Sequence, residues 1–368
     1  MTAQLRLLHV DSEHGFSGGE AQVLGLVEGL LARGHSVTVA GPSGGALAER
    51  GLALGWDWRH WGVGGDADVL AARRLARIMR EEGVQLVHLH TGRAAWIGGW
   101  AARRAGVPAV VTRRQDKPLR GWKHRTTYAE LVAAAVGISP AVTRQLEAVG
   151  AHATTIWSSV DPERLAPSAP RRELRRELGL EEGTFAVAVL AALVPRKGLH
   201  VLLDALGRLT TARSVRVLIA GEGTERARLE TLARTLPAQR SARILGHVER
   251  KGDLLEAVDA FCLPSLAEGL GVAALEALAV GLPVVATSAG GLGEAIGDAG
   301  LVVPPGDARA LARELDRLAA DPALGRELGQ RALRRIDAEF RFEQQVERYE
   351  ALYHSVLAGS PRLAIARG

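Results

Sequence analysis

Residues 264–285 read PSLAEGLGVAALEALAVGLPVV, and this stretch decides the fold. Ahead of it, Val258 to Leu263 has the β-branched and aromatic content of a buried strand; behind its turn, Val272 to Val280 has helical composition. The order is strand, turn, helix. Gly269 and Gly271 let the backbone approach a ligand closely, and the N–H groups and dipole at a helix start favour an anion, so a phosphate belongs at this turn. Glu268 stands at the mouth of the turn and Glu276, eight positions on, about one helical turn inward. Both are acceptors for hydroxyl donors on either side of that phosphate. Hydroxyls flanking a phosphate describe a nucleotide sugar. A purely structural reading makes Glu268 a helix cap and Glu276 a solvated helical glutamate. Glu276, however, lies in VAALEALAV, where burying an unpaired carboxylate costs on the order of several kcal/mol. The sequence therefore calls for a partner.

A chain of 368 residues is long enough for two domains with separate cores. Leu5 to Val10, Val37 to Ala40, Leu86 to Leu89, Ala109 to Thr112 and Val136 to Ile138 read as short strands separated by helical segments. Phe185 to Leu190, Ser214 to Ala220, Arg243 to Leu245, Val258 to Leu263, Pro283 to Ala286 and Leu301 to Val303 repeat the plan. The expected class is α/β, with two parallel sheets wound by helices and a cleft between the domains at the strand C-termini. The stretch Val160 to Pro170, with three prolines, reads as the linker. Residues Gly359 to Gly368 read as a frayed end.

Cys262 is the only cysteine and sits in the apolar run before the motif, so no internal disulfide can form and a reducing compartment is expected. The opening MTAQLRLLHV is too short an apolar run for a signal peptide, and Glu276, Gly281 and Pro283 interrupt the longest apolar stretch. The expected location is cytoplasmic. Between Arg103 and Arg125 eight cations face the single acid Asp116, with Leu119 and Trp122 interleaved. This favours an anionic partner. Nucleic acid is not expected, since none of its binding motifs accompanies the patch; an anionic membrane surface or a lipid-linked acceptor fits better.

Arg196 and Lys197 follow the strand Phe185 to Leu190 and precede a helix, so both side chains reach the strand C-termini, where two adjacent cations suit a leaving diphosphate. His88 and His90 alternate on one strand face but lack a third partner for a metal. Asp66-Ala67-Asp68 opens a helix and reads as capping. No metal and no cofactor are expected.

The E(x7)E pattern after a Pro-Ser turn and before the GLPVVA strand resembles the signature of glycosyltransferase family 4. The resemblance runs through Ser17-Gly18-Gly19-Glu20, Val194-Pro195-Arg196-Lys197-Gly198, Gly221-Glu222-Gly223, Gly290-Gly291 and Val303-Pro304-Pro305-Gly306-Asp307. Any one of these pieces recurs by chance; their order and spacing are specific. It implies a retaining enzyme of GT-B fold, built from two doubly wound Rossmann-like domains. Residues 1–163 would form the acceptor-side domain, joined by a returning helix at about 342–358, and 164–341 the nucleotide-sugar domain. The catalytic residues implied are Glu268, Lys197 and Arg196, with Glu268 on the sugar hydroxyls and the two cations on the diphosphate. The family's usual arginine falls at Ala192, leaving Arg196 as its substitute. Donor binding would fall to Glu276 on the ribose, to the backbone of Gly269, Leu270, Gly271 and Val272 and of Gly18 and Gly19 on the phosphates, and to His247 and Val248 beside the base. The family's acceptor-side histidine is absent after Thr112; Arg113 and Arg114 follow instead, with His90 nearby. The implied partners are a nucleoside-diphosphate sugar and a lipid-linked or cell-envelope glycan. A nucleotide-sugar epimerase on the same fold, or a relative that binds without turnover, stay open at this point.

Overall fold

A computed structural model describes residues 3–359, so the expectation for residues 360–368 lies outside the described residues. The chain divides into two compact units, one holding Ser159–Arg341 and the other the described residues on either side of it. The first unit carries a fully parallel seven-stranded sheet: β1 Arg6–Val10, β2 Ser36–Gly41, β3 Asp57–His60, β4 Leu86–Leu89, β5 Ala109–Arg113, β6 Ala134–Gly137 and β7 Ala153–Thr155. Their spatial order is β3-β2-β1-β4-β5-β6-β7. The second unit has six parallel strands: β8 Phe185–Leu190, β9 Val215–Ala220, β10 Arg240–Gly246, β11 Ala260–Leu263, β12 Val284–Thr287 and β13 Gly300–Val303, in the order β10-β9-β8-β11-β12-β13.

Both faces of each sheet are covered, which is why the central strands are unbroken apolar runs. In the first unit the helices Val69–Glu81 and Gly92–Ala105 cover one face, Ala71, Leu75, Ala95 and Ile97 packing with Leu8, Val87 and Leu89. The helices Gly18–Ala32 and Phe342–Leu357 cover the other, through Val23, Leu26, Val346, Tyr349 and Leu352. These two helices pack closely because Gly25 and Gly29 leave room: a Cβ there would come within 2.8 Å of Phe342 and 2.4 Å of Val346. The polar edge strands β3 and β7 went unread in the sequence.

Val160 to Pro170 is not a free linker. The Val160 N–H donates to the Phe340 carbonyl at 3.0 Å, Leu165 is buried, and both the Ser168 N–H and hydroxyl donate to Asp253. Asp161 caps the short turn Pro162–Leu165. Ser168 is thus held by Asp253, and the second unit begins at Ser159, so the division falls at 158/159 and not at 163/164.

Candidate active site

In an open α/β sheet, ligands bind beyond the strand C-termini where the strand order reverses. In the second unit that point lies between β8 and β11. The loop after β8 makes a single turn of 3-10 helix, Pro195–Lys197, stopped by Gly198 with φ +64°. The Arg196 carbonyl accepts N–H bonds from Leu266 (2.8 Å) and Ala267 (3.3 Å), fastening this loop to the one after β11. Lys197 and Glu268 are thereby brought into contact: the ammonium donates to a Glu268 carboxylate oxygen, and the Ser265 hydroxyl donates to the same oxygen at 3.2 Å. Both side chains are nearly buried, 13% and 11% exposed, which separates this pair from the exposed ion pairs that contribute little. Thr287 donates to the Ser265 carbonyl at 2.6 Å and ties the loop to β12.

Gly198 is what lets the loops meet. Its backbone is left-handed, and a Cβ there would stand 2.1 Å from the Pro264 carbonyl oxygen. Gly198→Ala is expected to destabilise the second unit by about 2 kcal/mol or more, since strain and backbone collision add. Urea unfolding followed by far-ultraviolet circular dichroism measures it, and an unmoved midpoint counts against this role.

Gly271, at φ +86° and packed on Leu292 and Leu263, opens the helix Val272–Ala279, which no side chain caps. Leu270 is buried and Val272 half-buried beside it. Glu276 faces outward from this helix, 14% exposed, and accepts a bond from Lys251 at 2.7 Å. The partner that burial demanded is thus Lys251, on the helix Lys251–Ala257, a residue the sequence did not single out. Arg196 is exposed and forms no ion pair among the described residues; its carbonyl, not its guanidinium, shapes the loop. Beyond β10, His247 is exposed and Val248 half-buried, and the Gly221 N–H donates to the Gly246 carbonyl at 2.7 Å.

In the first unit the order reverses between β1 and β4. Ser12 and Thr91, which follow these strands, share a hydroxyl–hydroxyl bond at 2.6 Å. Asp11 is almost fully buried; burial pushes its carboxyl up to about 6, with the Glu13 N–H and Arg114 opposing and Glu20 adding. Ser17 caps the helix Gly18–Ala32 in a capping box with Glu20. A Cβ on Gly18 would meet nothing within 4 Å, and one on Gly19 the Arg114 side chain at 3.4 Å and the Ser17 hydroxyl at 3.6 Å. Nothing within the unit requires glycine at 18, which leaves the backbone open to an outside ligand.

The histidines correct an expectation. The register pairs His9 with His88, so β1 supplies the third imidazole that the sequence lacked, and the candidate ligand atoms of His9, His88 and His90 lie within 4.8 Å of one another. Their nitrogens are nonetheless largely committed. Arg114 Nη2 donates to His90 Nδ1 (3.4 Å), so His90 Nε2 carries the proton and donates to His9 Nδ1 (2.9 Å). His88 lies between the Tyr353 hydroxyl (2.6 Å) and the Thr112 hydroxyl (2.7 Å), and Thr112 also meets Tyr349. His9 Nε2 is buried without a partner. Burial lowers all three imidazoles, His9 to about 3, and keeps them neutral. His90 is therefore interior and bonded to Arg114.

The basic stretch also divides. Arg113 turns inward to the Tyr128 hydroxyl and the Lys117 carbonyl, and Arg114 to His90, whereas Arg103, Arg104, Arg120 and Arg125 are exposed. Asp68 caps its helix, accepting from the Ala71 N–H at 2.8 Å, and Asp66 pairs with Lys123, so both carboxylates of the Asp-Ala-Asp sequence are engaged.

Two doubly wound units, each with a loop-built site where its strand order reverses, place the protein among the GT-B glycosyltransferases. The chain belongs to glycosyltransferase family 4: residues 16–164 match Glycosyltransferase Family 4, and residues 170–335 match Glycosyl transferases group 1. The phosphatidyl-myo-inositol mannosyltransferase of Mycobacterium leprae is 29% identical over 380 residues, covering 91% of this chain and 93% of that one. A mannosyltransferase of Corynebacterium glutamicum, GDP-mannose-dependent and acting on monoacylated phosphatidylinositol monomannoside, is 29% identical over 314 residues, 79% of this chain and 81% of its own. Among solved structures, Anabaena HepE, crystallised with UDP and glucose, superposes with a TM-score of 0.83 at 21% identity over 96% of this chain and 100% of its own. The last likeness concerns the fold.

Proposed function

We propose that the chain is a retaining glycosyltransferase that moves a sugar from a nucleoside-diphosphate sugar to a lipid-linked, lipopolysaccharide or other cell-envelope glycan, without a metal ion. The observation that carries this reading is the buried Lys197–Glu268 contact at the β8/β11 reversal point. Lys197, with Arg196 beside it, neutralises the diphosphate, and the backbone of Gly269 to Val272 binds its phosphate. Glu268 takes the sugar hydroxyls and steadies the positive charge at the anomeric carbon. Glu276 exchanges Lys251 for the ribose hydroxyls, and the backbone at His247 and Val248 meets the base. The anomeric carbon–phosphate oxygen bond breaks while a bond to the acceptor oxygen forms on the same face, and the acceptor proton passes to the leaving phosphate oxygen. No separate carboxylate base is required. Gly18 and Gly19 give phosphates access to the first unit, where Arg113 and Arg114 lie on the acceptor side and His90 orients Arg114.

Support for a phospholipid-linked acceptor comes from the names of the two mannosyltransferases. No helix among the described residues is long and apolar enough to cross a membrane, and we place the enzyme at the cytoplasmic face. Single-turnover incubation with labelled UDP-, GDP- and ADP-sugars, with nuclear magnetic resonance of the product's anomeric proton, is the test. Product with the donor's anomeric configuration, formed equally with and without chelator, is expected. An inverted product, an epimerised free sugar, or chelator-sensitive transfer overturns the reading.

A further inference from the structure

The helices Val69–Glu81 and Gly92–Ala105 and the short turn Trp122–Arg125 share one face of the first unit. Trp96 sits at their junction, its indole N–H donating to the Asp66 carbonyl at 2.8 Å, with Trp100 and Trp122 edge-on to it at 5.9 and 6.0 Å. Lys123 stands over the Trp96 ring and pairs with Asp66. Around this junction large apolar side chains point into solvent: Val69 is 60% exposed, Leu70 62%, Trp100 42% and Trp122 72%. Nothing in the unit's own core uses them.

The charge on the same face is mostly positive. The helix Gly92–Ala105 and the turn Trp122–Arg125 contain no Asp or Glu, and Val69–Glu81 has only its last residue. Along that helix Arg73, Arg74, Arg77 and Arg80 are exposed, and Arg103 and Arg104 continue the field beside Trp100. Exposed tryptophans and aliphatic side chains within a field of cations match the boundary between phospholipid headgroups and acyl chains. There the indole ring sits at headgroup depth, apolar tips enter the hydrocarbon, and guanidinium groups meet phosphates.

We infer that this three-segment face docks on an anionic phospholipid bilayer by inserting Trp122, Trp100, Val69 and Leu70 while its arginines bind headgroup phosphates. The inference rests on the proposed lipid-linked acceptor only for its purpose. It differs from binding by the basic stretch Arg103–Arg125 alone: it brings in the helix Val69–Glu81, leaves out the inward-turned Arg113 and Arg114, and adds an apolar component that salt does not screen.

Sedimentation of the full chain with vesicles of phosphatidylcholine, with and without phosphatidylglycerol, tests it. The protein is expected to bind the anionic vesicles and retain part of that binding at high salt. Trp122→Ala should lower the partition coefficient about tenfold. Arg73→Gln with Arg77→Gln should lower it about fivefold for each cation. The thermal shift produced by UDP or GDP should stay unchanged in every variant, confirming an intact fold. Equal binding to neutral and anionic vesicles, wild-type binding by Trp122→Ala, or a dimer in solution that Trp122→Ala dissolves overturns the inference. Absence of a shift with UDP, GDP and ADP alike in the wild-type protein, with vesicle binding as expected, overturns the transferase reading instead.

Discussion

Glu268→Ala is expected to lower kcat/KM for transfer by about 10²–10³, the range seen when one preorganised electrostatic contact to a transition state is removed. The geometry adds a second expectation that separates chemistry from damage. In the ligand-free protein Glu268 is the counter-ion of Lys197, and both are nearly buried. Removing the carboxylate leaves the ammonium without its anion, so a nucleoside diphosphate should bind Glu268→Ala at least as tightly as wild type while transfer collapses. Lys197→Ala should weaken both diphosphate affinity and turnover. The double variant should be far less impaired than the product of the two single effects, because residues in direct contact do not act additively. Isothermal titration with the nucleoside diphosphate and steady-state kinetics on the four proteins provide the cycle. Full transfer activity in Glu268→Ala removes the role assigned to it; loss of diphosphate binding in that variant shows a disordered loop in place of an electrostatic contact.

This pair shows how the sequence could reach the site. Lys197 and Glu268 each lie in a short motif after a strand with both faces buried, and such strands declare themselves as apolar runs. The features that stayed hidden have a common cause. His9 meets His88 only because β1 and β4 pair in one register, and no local pattern reports a contact between residues so distant in the chain. Burial arguments required a cation for Glu276 without saying which, and Lys251 is an exposed lysine at a helix start with nothing to distinguish it. The edge strands β3 (DWRH) and β7 (ATT) carry too few apolar residues to show a period, and the proline-rich stretch after Val160 has a linker's composition although Val160, Leu165 and Ser168 fasten it to the second unit. Arg113 and Arg114 read as surface charge for the same reason: composition counts cations but not the direction in which they point.

The first unit is expected to lose stability in mild acid. His9, His88 and His90 are held neutral by burial, so their folded pKa values lie below the ordinary 6.5 of an unfolded chain, His9 at about 3. A depressed imidazole contributes stability that is complete above about pH 6.5 and is lost as the pH falls, because the unfolded chain takes up the proton first. Asp11 works in the opposite sense: its raised value of about 6 favours the fold in acid and surrenders that contribution as the pH rises from about 4 to 6. Three imidazoles kept neutral outnumber the one carboxyl kept protonated, so just below about pH 6 the unfolded state binds more protons and the net stability of the unit falls with the pH. Arg114, the positive charge nearest the cluster, adds to the penalty for protonating His88 and His90, while the neutral Tyr349 and Tyr353 hydroxyls and Thr112 complete its surroundings. All seven tryptophans lie in this unit, so their fluorescence reports its unfolding separately from the second unit. His9→Asn keeps an acceptor for the His90 N–H but cannot take up a proton. Its urea midpoint should fall more gently between pH 6.5 and 5 than that of wild type, by up to about 1 kcal/mol per pH unit once converted to free energy. Identical pH slopes in the two proteins would mean that His9 is not held neutral by the fold.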